Sequence, residues 1–185
     1  MTVENVVKKI RRELIRSVSR IDAWFDRDSA LLDYRSATTT KTITELLAQA
    51  MLTNRFIVQI IDEGHINNIK GNMNGMPVAD YCAKIQELEN LNTSPVDFDS
   101  SPSLEDSIDL NEIRYEIREQ LHRCLIHLEN LFDAENEPFE TNLAVGELGK
   151  LDAYQCIYFL ALHVRRYLEQ LDSTLSDYNR YAEEV

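Results

Sequence analysis

Apolar residues recur at steps of three and four along four long stretches of the sequence, and this repeat restricts the fold more than any other feature. The first stretch predicts a helix from about Val3 to Phe25, and the fourth a long helix that starts near Lys150. The third predicts a helix whose stripe is Leu110, Ile113, Ile117, Leu121, Cys124, Leu128 and Leu131. Each of these helices has one apolar face to bury against a neighbour.

The second stretch begins near Thr42 and is apolar on two faces instead of one. Thr42 and Glu45 have the spacing of a capping box, in which each side chain accepts a hydrogen bond from the other residue's backbone N–H. Gly64 is predicted to end this helix, because glycine is common just past a helix C-terminus. A helix that is apolar on two faces belongs in the interior of a helical protein.

The connections between these helices are polar and long. A shorter helix is predicted to open at Pro77 and to carry Val78, Cys82, Ile85 and Leu88. The remaining connections, predicted to lack regular structure, are residues 26–40, 65–76, 90–103 and 133–149. Connections of this length leave room for crossovers, so a simple up-down order of the helices does not follow from the sequence.

These elements predict an all-α protein, a four-helix bundle with one short additional helix, in a single domain over residues 1–185. The composition agrees, since 44% of the residues are hydrophobic and only five are glycine and four proline. That content supplies a core and is too poor in turn residues for a β-sandwich.

The charge balance bears on partners. The net charge of −13 disfavours nucleic acid, whose phosphates repel an acidic chain. The first twenty residues are the exception, with Lys8, Lys9, Arg11, Arg12, Arg16 and Arg20 against Glu4 and Glu13. A basic helix of this kind can dock on an anionic partner, but the favoured interpretation is an ordinary solvated face.

The cysteines and the hydropathy bear on location. Cys82, Cys124 and Cys156 are odd in number, far apart and without a C-x-x-C pair, which predicts reduced thiols and a cytoplasmic protein. No apolar run reaches membrane-spanning length, and the N-terminus lacks a signal-peptide core. Membrane association is therefore not expected.

Three segments resemble the DinB-like (DinB/YfiT-type) superfamily, in particular relatives from bacteria of the Bacteroidetes type. The first is Trp24-Phe25-Asp26 with residues 31–34, the second covers residues 42–56, and the third covers residues 149–161 and runs on through 163–170. With the first and third helices, the resemblance extends over most of the chain. It implies the DinB/YfiT-type four-helix bundle and, from the family, a homodimer.

The resemblance also implies a metal site made by three histidines, which hold nickel, zinc or iron. Relatives usually have a histidine where this chain has Gln49, and an H-x-x-x-H pair where it has His163 and Tyr167. Residues four apart share one helix face, so two imidazoles can bind one ion while a third closes the site from a facing helix. Only His163 remains a good ligand, because an amide oxygen and a phenol are weak substitutes.

We therefore expect a degenerate site with no tightly bound metal and no other cofactor. Gln49, His163 and Tyr167 are then expected to line a small polar pocket, which either hydrogen-bonds within itself or holds a small-molecule ligand. Two alternatives stay open: a metal-dependent hydrolase or thiol transferase that uses His163, and a protein-interaction module. The sequence leaves open whether the chain is an enzyme.

Other candidate residues have simpler explanations. Glu119 and His122 form a single E-x-x-H, where a di-iron bundle needs two such motifs and two more glutamates. His122 and His127 are expected to be exposed, and His65 to sit in a polar loop. Cys156 lies seven residues before His163, about 10 Å along a helix, which is too far for a direct nucleophile–base pair, so it is expected to be a core residue.

Overall fold

The structure, a computed structural model, describes residues 3–69, 109–133, 140–145 and 149–184. It contains the long helices α1 (Val3–Asp22) and α3 (Ile43–Ile69), with the short helix α2 (Ser29–Leu32) between them. Two more long helices follow, α4 (Leu110–Asp133) and α5 (Ala153–Glu184), with strands β1 (Glu140–Ala144) and β2 (Lys150–Asp152) between them. The described chain is thus mostly helical, as predicted for an all-α protein.

The four long helices pack in the cyclic order α1, α5, α3, α4, each against two neighbours. Contacts between side chains give their directions. Arg20 reaches Asp172 while Lys9 lies over the Tyr158 ring, so α1 and α5 run parallel. Asp22 with Arg114 and Arg11 with Glu129 make α4 antiparallel to α1. Thr53 contacts Tyr167, and Thr39, just before α3, contacts Thr174, so α3 is antiparallel to α5. The helices therefore follow an up-down-down-up order instead of alternating.

The apolar stripes meet in one continuous core. Ile10, Leu14, Val18 and Ile21 of α1 are buried, and so are four residues of the predicted α4 stripe, Ile113, Ile117, Cys124 and Leu128. Leu121 of the same stripe is only partly buried. The start of α5 is enclosed on all sides, since every residue from Leu151 to Val164 is buried. Within the described residues, no helix is long and apolar enough to cross a membrane.

Several predicted boundaries were wrong. Helix α1 ends at Asp22, and a 3-10 turn continues the chain to Asp26. Gly64 does not end α3, which continues to Ile69, because glycine costs a helix interior only about 1 kcal/mol and packing offsets that cost. The predicted loop 65–76 is therefore helical over its first five residues. Part of the predicted connection 26–40 is also ordered, as α2.

The other correction concerns the segment before the last helix. Residues 140–144, predicted to be loop, form β1, and the last helix starts at Ala153 because residues 150–152 pair with β1 as β2. The two antiparallel strands match Glu140 with Asp152 and Ala144 with Lys150. Alternate residues Thr141, Leu143 and Val145 are buried, and a positive φ of 69° at Gly149 admits the chain into β2. The predicted helix from Pro77 and the linker 90–103 lie outside the described residues.

Two capping boxes begin the interior helices. The predicted one is confirmed: the backbone N–H of Thr42 donates to Glu45 Oε2 at 2.7 Å, and that of Glu45 donates to Thr42 Oγ1 at 3.1 Å. The second was not predicted and begins α5. There the N–H of Asp152 donates to Gln155 Oε1 at 3.0 Å, and the N–H of Gln155 donates to Asp152 Oδ1 at 2.9 Å. Both satisfy helix N–H groups that have no partner within the helix.

Candidate functional site

The predicted site residues of the last helix lie together in the interior. His163 is completely buried, and Tyr167 is 3% exposed. Their rings meet edge to face with centroids 5.1 Å apart, as side chains four residues apart on a helix should. On the other side, Phe159 stacks on His163 with centroids 5.9 Å apart. The imidazole is thus held between two aromatic rings on the buried face of α5.

The imidazole of His163 has no hydrogen-bond partner at either ring nitrogen. Burial, helped by the nearby Arg166 charge, lowers the pKa of His163 to about 4. The ring is therefore neutral at pH 7, with one nitrogen that donates and one that accepts. Buried polar groups are almost always paired, so an imidazole that is unpaired at both nitrogens calls for an explanation.

Tyr167 has its partner on the facing helix. Its hydroxyl lies 3.3 Å from Thr53 Oγ1 of α3, and both residues are buried. Thr53 was missed by sequence reasoning, although it follows Gln49 by four residues and so shares its helix face. The family resemblance predicts position 49 as the site residue of α3, whereas the register of α3 against α5 places position 53 in contact with Tyr167.

Gln49 is only half-buried, and its amide oxygen accepts a hydrogen bond from Lys41 Nζ at 2.8 Å. The structure therefore brings His163 and Tyr167 together and turns the carbonyl group of Gln49 to a lysine. An ammonium group at this oxygen also opposes a divalent cation there, because like charges repel. His163 bonds to neither Gln49 nor Tyr167, as the internally hydrogen-bonded alternative would require.

The donor set does not fit the metal site that the family resemblance implies. Within residues 3–69, 109–133, 140–145 and 149–184, no three His, Cys, Asp or Glu side chains are grouped to hold an ion. His163 alone offers a nitrogen, and its neighbours are Phe159 and Tyr167. One imidazole beside a phenol is a weak site for a borderline metal.

Two further amides are buried where α3 meets α4. Gln120 Nε2 donates to the backbone carbonyl of Met51 at 3.0 Å, while the Oε1 atom of Gln120 has no partner. The Oδ1 atom of Asn54 is likewise buried without a partner. The sequence placed Asn54 on an otherwise apolar face of its helix, which was the one available sign that this amide is buried.

The other histidines and Cys156 are accounted for as follows. His122 is exposed as expected, but His127 is not: it is half-buried, and its Nε2 lies 2.6 Å from Asp62 Oδ1 on α3. The side chain of His65 lies outside the described residues. Cys156 is a buried core residue as expected, with Sγ 3.1 Å from Thr141 Oγ1, and burial raises its pKa to about 12. A thiol with that pKa is not a nucleophile at neutral pH.

Comparison of the chain with family models, with curated proteins and with solved structures finds no match.

Proposed function

We propose that this chain is a DinB-like four-helix-bundle protein that has lost the tight three-histidine metal site of its family and binds a small polar ligand at His163. The proposal covers a binding role and not catalysis. It is supported by one observation above others, the completely buried and neutral imidazole of His163 with no partner at either nitrogen. A ligand that both donates and accepts hydrogen bonds, such as a hydroxyl or amide compound, satisfies both nitrogens at once.

The unpaired nitrogens favour a bound ligand over an internal hydrogen-bond network. Such a network requires the polar side chains to satisfy one another's hydrogen bonds. Here Tyr167 is paired with Thr53 and Gln49 with Lys41, which leaves His163 outside both pairs. Leaving a buried group unpaired costs on the order of 1–3 kcal/mol, and a bound ligand that pairs it recovers much of that cost.

The resemblance to DinB-like proteins is supported by the helical content and by the packing of four long helices around one core. The spacing of His163 and Tyr167 on one buried face also agrees with the H-x-x-x-H position of the family. The family's homodimer and a cytoplasmic location remain parts of the same proposal.

Nuclear magnetic resonance of the His163 ring tests the proposal directly. Protein purified without a histidine tag, labelled with nitrogen-15, is measured before and after titration with imidazole, acetamide and ethylene glycol as small polar probes. We expect the ring nitrogens of His163 to shift on addition of at least one probe, and those of the exposed His122 to stay unchanged. A His163→Phe variant, which keeps the ring volume and removes both nitrogens, should lose the binding.

Two results would contradict the proposal. Ring nitrogens that are unaffected by all probes, with no molecule released on denaturation, would favour a dry structural core. Stoichiometric nickel, zinc or iron in the purified protein, lost in His163→Ala, would favour the metal-dependent hydrolase or thiol transferase instead. Metal analysis of the same preparation separates these two outcomes.

A second experiment tests the family resemblance. If Gln49 occupies the position of the family's third histidine, Gln49→His combined with Tyr167→His should create a nickel site. The matched variant is Thr53→His combined with Tyr167→His, because Thr53 is the residue that meets Tyr167. Nickel binding by the second pair and not by the first would show that the resemblance places the site one helical turn from its true position.

A further inference from the structure

A groove between α1 and α5 collects positive charge on a chain whose net charge is −13. Its volume is about 260 Å³. This α1–α5 groove is lined by Glu13, Arg16, Ser17, Arg20, Tyr158 and Arg165. Three arginines and one glutamate thus line the groove, which does not include His163 and is independent of the function proposed for that residue.

The arginines of the groove are not equally neutralised. Arg20 Nη2 is paired with Asp172 Oδ2 at 3.2 Å, and both side chains are about half exposed. Within the part of the chain that the structure describes, Arg16 and Arg165 form no ion pair. Two guanidinium groups that line one concave surface and have no ion-pair partner repel each other, and a bound anion relieves that repulsion.

The floor of the groove supplies polar groups of a different kind. Ser17 is 4% exposed and Tyr158 is 1% exposed, so both are held by the core. Lys9 Nζ lies 5.5 Å from the centre of the Tyr158 ring and adds a further cation beside the groove. Glu13 is the opposing charge, and its Oε1 lies 3.9 Å from Arg12 Nε. That weak pair draws the carboxylate partly toward Arg12.

We propose that the α1–α5 groove binds a small phosphate-bearing molecule, with the phosphate held by Arg16 and Arg165 and assisted by the Ser17 hydroxyl. Guanidinium groups match a phosphate because their N–H donors lie in a plane and bond two oxygens at once. The volume admits a phosphate with a small organic body and is below the range of drug-sized ligands. The chain's acidic surface makes binding depend on these two arginines, since the overall field repels anions.

Isothermal titration calorimetry with inorganic phosphate and with glycerol 3-phosphate, on the full chain at constant ionic strength, tests this inference. We expect both to bind, the single Arg16→Gln variant to weaken binding several-fold, and the Arg16→Gln/Arg165→Gln double variant to weaken it roughly tenfold or more. Arg11→Gln is the matched control, because it removes one positive charge from the same helix outside the groove and should change affinity less than twofold. Nitrogen-15 spectra should show shifts confined to residues near 16–20 and 158–165.

Three results would overturn the inference. The first is no measurable binding of either phosphate by the wild-type chain. The second is equal weakening by Arg11→Gln and by Arg16→Gln, which would mean a general charge effect. The third is tighter binding of succinate than of phosphate, which would assign the groove to dicarboxylates.

Discussion

At the scale of single residues, His163 combines two properties that seldom occur together. It is completely enclosed, and neither nitrogen has a partner. Its aromatic neighbours Phe159 and Tyr167 explain how the apolar part of the ring is accommodated, since both contact its faces or edge. They do nothing for the ring nitrogens, so the polar part of the side chain reduces stability unless something binds it.

Replacement of His163 by phenylalanine should therefore stabilise the ligand-free protein. We expect His163→Phe to raise the free energy of unfolding by about 1–2 kcal/mol, because it removes an unpaired buried polar group and keeps a ring of similar size. His163→Ala should lower it by about 2–4 kcal/mol, because it opens a cavity. Urea denaturation at pH 7 measures both. A loss of stability in His163→Phe would mean that the imidazole is hydrogen-bonded in solution.

The contact between Thr53 and Tyr167 should contribute a measurable coupling between α3 and α5. We expect Thr53→Val and Tyr167→Phe each to cost about 1 kcal/mol, and the double variant to cost less than the sum, because each hydroxyl is the other's partner. A double-mutant cycle from urea denaturation gives the coupling. Additive losses would show that the two hydroxyls do not interact.

The sequence placed His163 and Tyr167 correctly on one face of an interior helix, because a repeat of three and four fixes which side chains share a face. It did not find Thr53, since that contact depends on the register of α3 against α5. The register is set by packing between segments that are distant in the sequence, so it leaves no local signal. The expectation for His127 failed for the same reason, because its partner Asp62 comes from another helix.

At the scale of elements, local signals predicted what short-range chemistry controls. The capping box at Thr42 and Glu45 marked the start of α3 to within one residue. The strands were missed because β2 has three residues, too few to show an alternating pattern. The stop at Gly64 was predicted from propensity alone, and tertiary packing overrode it.

Loss of the Thr42 cap should destabilise the protein without altering its fold. We expect Thr42→Ala to lower the free energy of unfolding by about 1 kcal/mol, because the Glu45 N–H loses its acceptor. Ser19→Ala, at an exposed position in the last turn of α1, is the control and should change it by less than about 0.5 kcal/mol. Equal effects of the two substitutions, measured by thermal denaturation, would argue against a capping role.

At the scale of the whole molecule, ion pairs between neighbouring helices are consistent with the up-down-down-up order. Helices α3 and α4 run parallel, which the pairs Arg55 with Glu116 and Asp62 with Arg123 show. The sequence left room for this order through the 40 residues between them and did not require it. At the C-terminal end of α1, Asp22 accepts hydrogen bonds from Arg114 and Arg118 of α4, with the shortest at 2.8 Å.

The buried His163 and the hydrogen-bonded Asp22 should make the stability of the protein fall in two separate pH ranges as the solution is acidified. The pKa of His163 falls from 6.5 to about 4 on folding, so the unfolded chain takes up a proton first. Stability is therefore lost between pH 6.5 and about 4, by up to about 3 kcal/mol. Hydrogen bonds from Arg114 and then Arg118 hold the pKa of Asp22 well below its usual 3.8, so its contribution is present above pH 3.8 and is lost as the pH falls further.

Urea denaturation from pH 7.5 to 2.5 measures the two steps, and two variants assign them. His163→Phe should make the loss of stability between pH 6.5 and 4 smaller and leave the lower step in place. Asp22→Asn should lower stability at pH 7 and make the step below pH 3.8 smaller, because its amide cannot change charge. Asp26 and Asp177, whose pKa values are also lowered by hydrogen bonds, should supply the rest of that step. His122→Gln, at an exposed position, should leave both steps unchanged. Burial also lowers the pKa of His127, so part of the upper step should remain in His163→Phe. An upper step of unchanged size would mean that His163 is not buried and neutral in the folded chain, and the proposed binding site would fail with it.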